Sequence, residues 1–89
     1  MRSLVLDNAA RKAFDALPDK HFRQVISAVF LLLKDPLPQD ARPLAGVDGY
    51  RITVGEYRVV YDFTDEQVRV LAFGKRNDGE VYRRLARKG

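Results

Sequence analysis

The feature that most narrows the fold is a tetrapeptide, Val54-Gly55-Glu56-Tyr57, flanked on both sides by alternating side chains. Gly-X between two such runs signals a β-hairpin, because glycine at the first loop position supplies the positive φ of a type II′ turn. A two-residue loop sets Val54 opposite Tyr57, Thr53 opposite Arg58, Ile52 opposite Val59 and Arg51 opposite Val60. Side chains alternate along a strand, so Tyr50, Ile52, Val54, Tyr57, Val59, Tyr61 and Phe63 share one face. Arg51, Thr53, Arg58, Val60 and Asp62 share the other. A four-residue turn from Thr64 to Gln67 then pairs Phe63 with Val68. That register adds Val68, Val70 and Ala72 to the apolar face and sets Arg69 opposite Asp62, Leu71 opposite Val60 and Phe73 opposite Arg58. The product is a three-stranded meander with a core face that includes Tyr50, Tyr57 and Tyr61. Its second face mixes arginine with apolar side chains.

Upstream, Arg2 to Leu6 is a short apolar run suited to a strand. Asp7 or Asn8 can cap the next segment, where Ala10, Ala13, Phe14 and Leu17 recur at helical spacing until Pro18 stops them. Asp19 is the expected cap of a longer helix. Its stripe of Phe22, Val25, Ile26, Val29, Phe30 and Leu33, widened by Leu31 and Leu32, predicts a helix covered on most sides. A loop this short makes the two helices antiparallel. From Asp35 to Asp48, Pro36, Pro38 and Pro43 indicate an extended linker and no regular element. Beyond Gly74, the segment from Asn77 or Asp78 to Lys88 suits a short terminal helix with only Val81 and Leu85 to anchor it. The expected class is α+β in the order β-α-α-β-β-β, with that short C-terminal helix. The helix hairpin covers one face of an antiparallel-rich sheet and leaves the other open.

With 89 residues the expectation is a single domain spanning 1–89, with one core. Cysteine is absent, which excludes disulfides and thiolate metal sites and makes a reducing, cytoplasmic setting the simplest expectation. No apolar run approaches the ~20 residues of a membrane span, and the N-terminus has no signal-peptide core. The net charge of +4 is unevenly spread: from Lys75 onward, six bases face two acids. That excess favours a polyanion or an acidic partner, or a merely solubilising surface.

The segment P-L-A-G-(x)2-G-Y-R-I-x-V-G-E-Y-R-V-V-Y, followed by V-L-x-F-G-K-R-(x)3-E-V-Y, resembles the RelE/ParE superfamily of type II toxins. The likeness runs from Pro43 to Tyr82, and the helix hairpin before it agrees in order and length. The G-K-R…E-V-Y ending is similar to the RelE branch, whose members enter the ribosomal A site and cleave mRNA. ParE-type members share the fold and poison DNA gyrase. The resemblance implies a catalytic set of Arg58, Arg76 and Tyr82, with Arg51 as a cationic neighbour. Lys75, Arg83, Arg84, Arg87 and Lys88 would grip RNA phosphates. The basic-x-basic pair of the first meander strand reads Arg51-Ile52-Thr53 here, so its second base is missing.

The resemblance also implies a RelB-like antitoxin, acidic and amphipathic, masking the arginines and seated on an apolar strip of Val60, Leu71 and Phe73. Operator DNA would be contacted only through that complex. A metal, a cofactor and a membrane have no part in this reading.

Cleaving RNA through its own 2′-OH requires that hydroxyl deprotonated, the phosphorane stabilised and the 5′-oxygen protonated. Histidine is the usual proton carrier, but the single His21 opens the second helix and is expected at the surface, away from the sheet. There is no second histidine, no metal-ligand cluster and no Ser/His/Asp arrangement. Guanidinium and phenol remain. Arginine holds phosphate oxygens well and gives up its proton poorly. A tyrosine with pKa ~10 needs roughly 4 kcal/mol to ionise at pH 7, less beside cations. Arg58 and Arg76 would therefore steady the transition-state phosphate, and Tyr82 would orient or deprotonate the 2′-OH or stack on a base. Plainer roles stand beside these: an Arg58 stem packed on Phe73, Arg51 as ordinary surface, Tyr82 as a helix anchor, and the terminal bases as a solvated tail. A non-catalytic RNA- or protein-binding module of the same fold is the remaining alternative.

Overall fold

The computed structural model describes residues 1–46 and 48–75. The elements are β1 (Ser3–Leu6), α1 (Asn8–Asp15), α2 (Asp19–Leu32), β2 (Arg42–Pro43), β3 (Tyr50–Val54), β4 (Tyr57–Phe63) and β5 (Gln67–Lys75). The strands form one sheet in the order β1-β5-β4-β3-β2, with β1 parallel to β5 and the other pairs antiparallel. This is the expected α+β class, with one strand, β2, added to the expected order before the meander. The terminal helix expected up to Lys88 lies outside the described residues.

Local chemistry accounts for the boundaries. Asp7 is extended and its carboxylate accepts from the Ala9 N–H at 3.0 Å, so it is the cap of α1. The second cap differs from expectation: Pro18 occupies the position, without a side-chain hydrogen bond, and Asp19 lies in the first turn. A carboxylate there still favours the positive end of the helix dipole. The β3–β4 hairpin has the expected register. Gly55 has φ +58° and, among the described residues, no non-glycine residue has positive φ, as a type II′ turn requires. A Cβ on Gly55 would come within 2.8 Å of the Gln24 side chain, so α2 closes over this turn.

Three further expectations fail. First, α2 is not covered on most sides: Phe30 and Leu31 are 54% and 68% exposed, and only Val25, Val29 and Leu32 of the helix are buried. The sheet covers one side of the helix, and among the described residues no second layer covers the opposite one.

Second, the proline-rich connection contains β2, whose Arg42 and Pro43 pair with Arg51 and Tyr50. Proline is tolerated there because an edge strand needs no donor on its outer side. Third, the β4–β5 register breaks between Val60 and Tyr61. Val60 faces Ala72, Val59 faces Phe73 and Arg58 faces Gly74, which leaves Leu71 as the extra residue of a bulge. The bulge reverses the alternation. Ala72 moves to the face of Val60, and Phe73 turns into the core, 4.4 Å from Phe14 and 6.2 Å from Tyr57 between ring centroids.

The main core joins Ala10, Phe14, Val25, Val29 and Leu32 of the helices to Ile52, Tyr57, Val59, Tyr61, Val68, Val70 and Phe73 of the sheet. Phe73→Ala therefore removes a buried ring and is expected to cost about 3–5 kcal/mol in urea unfolding. An outward Phe73 would give a change within about 0.5 kcal/mol, and that result would contradict the bulge.

Candidate nucleic-acid interface

Residues opposite one another in an antiparallel pair project to the same face. Arg51 faces Val60 on one side and Arg42 on the other, and Val60 in turn faces Ala72. One row across the face turned away from the helices thus reads Arg42, Arg51, Val60, Ala72. The neighbouring row reads Thr53, Arg58, Gly74. Val60 and Ala72 are buried, Arg51 and Arg58 are half-buried, and the Arg58 Nε is withdrawn from solvent. The expected meeting of Arg51 and Arg58 on one face is present, about 7–8 Å apart as a diagonal pair.

Arg42 escapes a reading of the sequence alone because three prolines obscure its strand. An apolar–basic–apolar run before Gly49, Ala41-Arg42-Pro43-Leu44, is the signal that would have revealed it. Its guanidinium is held at the sheet edge by Nη1, which donates to the carbonyls of Gln39 at 3.0 Å and Ala41 at 2.9 Å.

The electrostatics follow from the same register. Asp62 is engaged by Arg69, with contacts of 2.6 and 3.1 Å, as the cross-strand pair expected from sequence. At the surface this pair is worth under ~1 kcal/mol. Among the described residues, neither Arg42 nor Arg51 lies within 4.0 Å of a carboxylate. Two adjacent like charges on one row are unfavourable until an anion joins them.

Other expected site residues fall elsewhere. Lys75 faces Tyr57, in a row that belongs to the helix side of the sheet. The expected antitoxin strip does not exist as a strip: Phe73 is in the core, while Val60 and Leu71 are buried with Ala72 and packed by Leu44. His21 is not remote from the sheet, for its Nδ1 shares a 2.7 Å hydrogen bond with the Tyr57 hydroxyl on the helix side. Arg76, Tyr82, Arg83, Arg84, Arg87 and Lys88 lie outside the described residues. Among the described residues no three His, Cys, Asp or Glu gather as metal ligands, and no helix is long and apolar enough to cross a membrane. A mainly apolar concavity of about 360 Å³ runs between α2 and β3, lined by Ala28, Leu31, Leu32, Pro38, Ile52 and Val54 with Asp35 and Asp40 beside them.

The connection that delivers Arg42 is fixed to the sheet by Tyr61, whose hydroxyl donates to the Pro36 carbonyl at 2.6 Å. Burial, then the carboxylates of Asp40 and Asp35 and the neighbouring Tyr50, push the Tyr61 phenol up to about 12. The folded state keeps this proton while the unfolded chain loses it near pH 10. The associated stability is therefore intact below pH 10 and lost as pH rises from about 10 to about 12. Alkaline urea titrations should show a decline of at most about 2–3 kcal/mol in that window. In Tyr61→Phe that decline should be absent, against a baseline lowered by about 1 kcal/mol from the lost hydrogen bond. Parallel curves for the two proteins would contradict the assignment.

Comparison with known proteins bears on the fold and the family. The family described as ParE toxin of the type II toxin-antitoxin system, parDE, matches residues 4–79. Among solved structures, an arginine-substituted mutant of the Escherichia coli toxin RelE in the free state is similar over 98% of this chain and 96% of its own. Its TM-score is 0.80 at 27% identity. The isolated E. coli RelE toxin is similar over 99% of this chain and 98% of its own, with TM-score 0.74 and 28% identity. The toxin–antitoxin complex RelBE of E. coli covers 84% of this chain and 96% of the matched one, with TM-score 0.73 and 29% identity. No curated protein matches the sequence.

Proposed function

The chain belongs to the ParE toxin family, within the RelE/ParE superfamily of type II toxins, and from that premise we propose that it is a ribosome-dependent endoribonuclease. It would cleave mRNA in the A site and so inhibit translation in the cytoplasm. The observation that carries this reading is the likeness to E. coli RelE over nearly the whole chain, with Arg51 and Arg58 together on the face away from the helices.

In the reaction, the 2′-oxygen attacks the adjacent phosphorus, its proton leaves to a base, and the bond from phosphorus to the 5′-oxygen breaks as that oxygen gains a proton. The products are a 2′,3′-cyclic phosphate and a 5′-hydroxyl. Arg58 is aimed from a rigid central strand and stabilises the charge that builds on the phosphorane oxygens. Arg51 adds a neighbouring cation. Arg76 assists the leaving oxygen, and Tyr82 orients or deprotonates the 2′-OH. These are weak acids and bases, so most of the acceleration comes from placing the RNA, and the ribosome does the placing. A RelB-like antitoxin is the proposed partner, as in the E. coli RelBE complex, with operator DNA reached through it.

The test is translation of a defined message with purified protein, followed by mapping of the message ends. Cuts inside codons are expected only during translation, weakened about 10²-fold or more in Arg58→Ala. Growth arrest without such cuts would overturn the reading. The parDE description of the matched family favours a second one, gyrase poisoning, which predicts trapped DNA–gyrase complexes while translation at first continues.

A further inference from the structure

The geometry points to Arg42 as a further RNA-binding residue, which holds the backbone phosphate beside the one held by Arg51. The inference rests on the endoribonuclease reading for its substrate class. Arg42 is exposed, lies directly opposite Arg51, and occupies the outermost strand of the sheet. In an antiparallel pair this places the two Cα atoms about 4.5–5.5 Å apart. Nη1 is already held by the Gln39 and Ala41 carbonyls, so the guanidinium is oriented before any ligand arrives. Its Nε and Nη2 are left to donate to phosphate oxygens, as a planar guanidinium does well.

Three features argue for a polyanion over ordinary surface charge. Like charges directly opposite on a sheet are destabilising, and among the described residues neither Arg42 nor Arg51 has a carboxylate within 4.0 Å. The row continues onto Val60 and Ala72, apolar and buried, so no polar side chain of β4 or β5 stands in it to compete for the phosphate. Finally, Arg42, Arg51 and Arg58 step diagonally over three strands, a span of about 12 Å from strand spacing and rise. That length suits a run of backbone charges, which in a stacked single strand lie ~3.4 Å apart along the axis. With Thr53 uncharged beside Arg51 on β3, the second cation of this row comes from β2.

The experiment compares the wild type with Arg42→Gln and Arg42→Lys. Glutamine retains an amide donor for the two carbonyls and removes the charge; lysine retains the charge. The first readout is equilibrium binding of an uncleavable 2′-O-methyl RNA oligonucleotide across a salt series. Arg42→Gln should bind about 5–10-fold more weakly at low salt. The slope of log K against log salt should become shallower by about 0.7, while Arg42→Lys keeps the wild-type slope. The second readout is translation-dependent cleavage against protein concentration. Arg42→Gln should raise the half-maximal concentration by a similar factor and leave the rate at saturation within about twofold.

An unchanged affinity and slope in Arg42→Gln would overturn the inference and leave Arg42 a tether for the Gln39 and Ala41 carbonyls. The two proposals fail separately. Oligonucleotide binding that depends on Arg42, with no cleavage by the wild type on ribosomes, would support the phosphate site and sink the nuclease reading. Wild-type cleavage with Arg42→Gln indistinguishable in both assays would do the reverse.

Discussion

One extra residue in β5 decides how this sheet is used. Because Leu71 and Ala72 together oppose Val60, the alternation of β5 reverses halfway along the strand. Its first half follows the turn at Thr64–Gln67, and its second half is positioned by Phe73, which fills the space between Phe14 and Tyr57. Without the bulge that aromatic ring would stand beside Arg58, and the core would lose the ring contact between Phe14 and Phe73. With it, Gly74 faces Arg58, and no side chain from β5 crowds the guanidinium in its row. Core packing on one face and the cationic surface on the other are thus consequences of the same irregularity.

Much of this was legible in the sequence where the determinants are local. Gly55 set the β3–β4 register, Asp7 was one of two candidate caps for α1, and the Thr64–Gln67 turn set the first pairs of β4 with β5. The bulge was not legible, because Val70-Leu71-Ala72-Phe73 is apolar throughout and carries no alternation from which a slipped register can be read. β2 was hidden for a different reason: two residues, one of them proline, have too little pattern to announce a strand, and their pairing depends on tertiary position. The exposure of Phe30 and Leu31 was also illegible, since a helical stripe records which residues are apolar and not how wide a surface the sheet offers. Arg51 and Arg58 were identified correctly as neighbours on one face, whereas Arg42 required the fold.

The resulting division of labour is simple. α1 and α2 close the core from one side, with His21 and Tyr57 joined across the helix–sheet boundary. The opposite side presents guanidinium groups of graded exposure, from exposed Arg42 to half-buried Arg51 and Arg58, over buried Val60 and Ala72. Groups fixed on strands cannot rearrange far, so such a surface acts by positioning charge and not by moving protons. That fits the proposed reading, in which the ribosome would present the RNA.

The central claim is that RNA lies on the face away from the helices. It is tested most directly by NMR titration with an uncleavable, codon-length 2′-O-methyl RNA. Shifts are expected at the side-chain Nε–H signals of Arg42, Arg51 and Arg58 and at the backbone of β3 and β4. Shifts confined to the basic residues of the helices, such as Arg11 and Arg23, would contradict it.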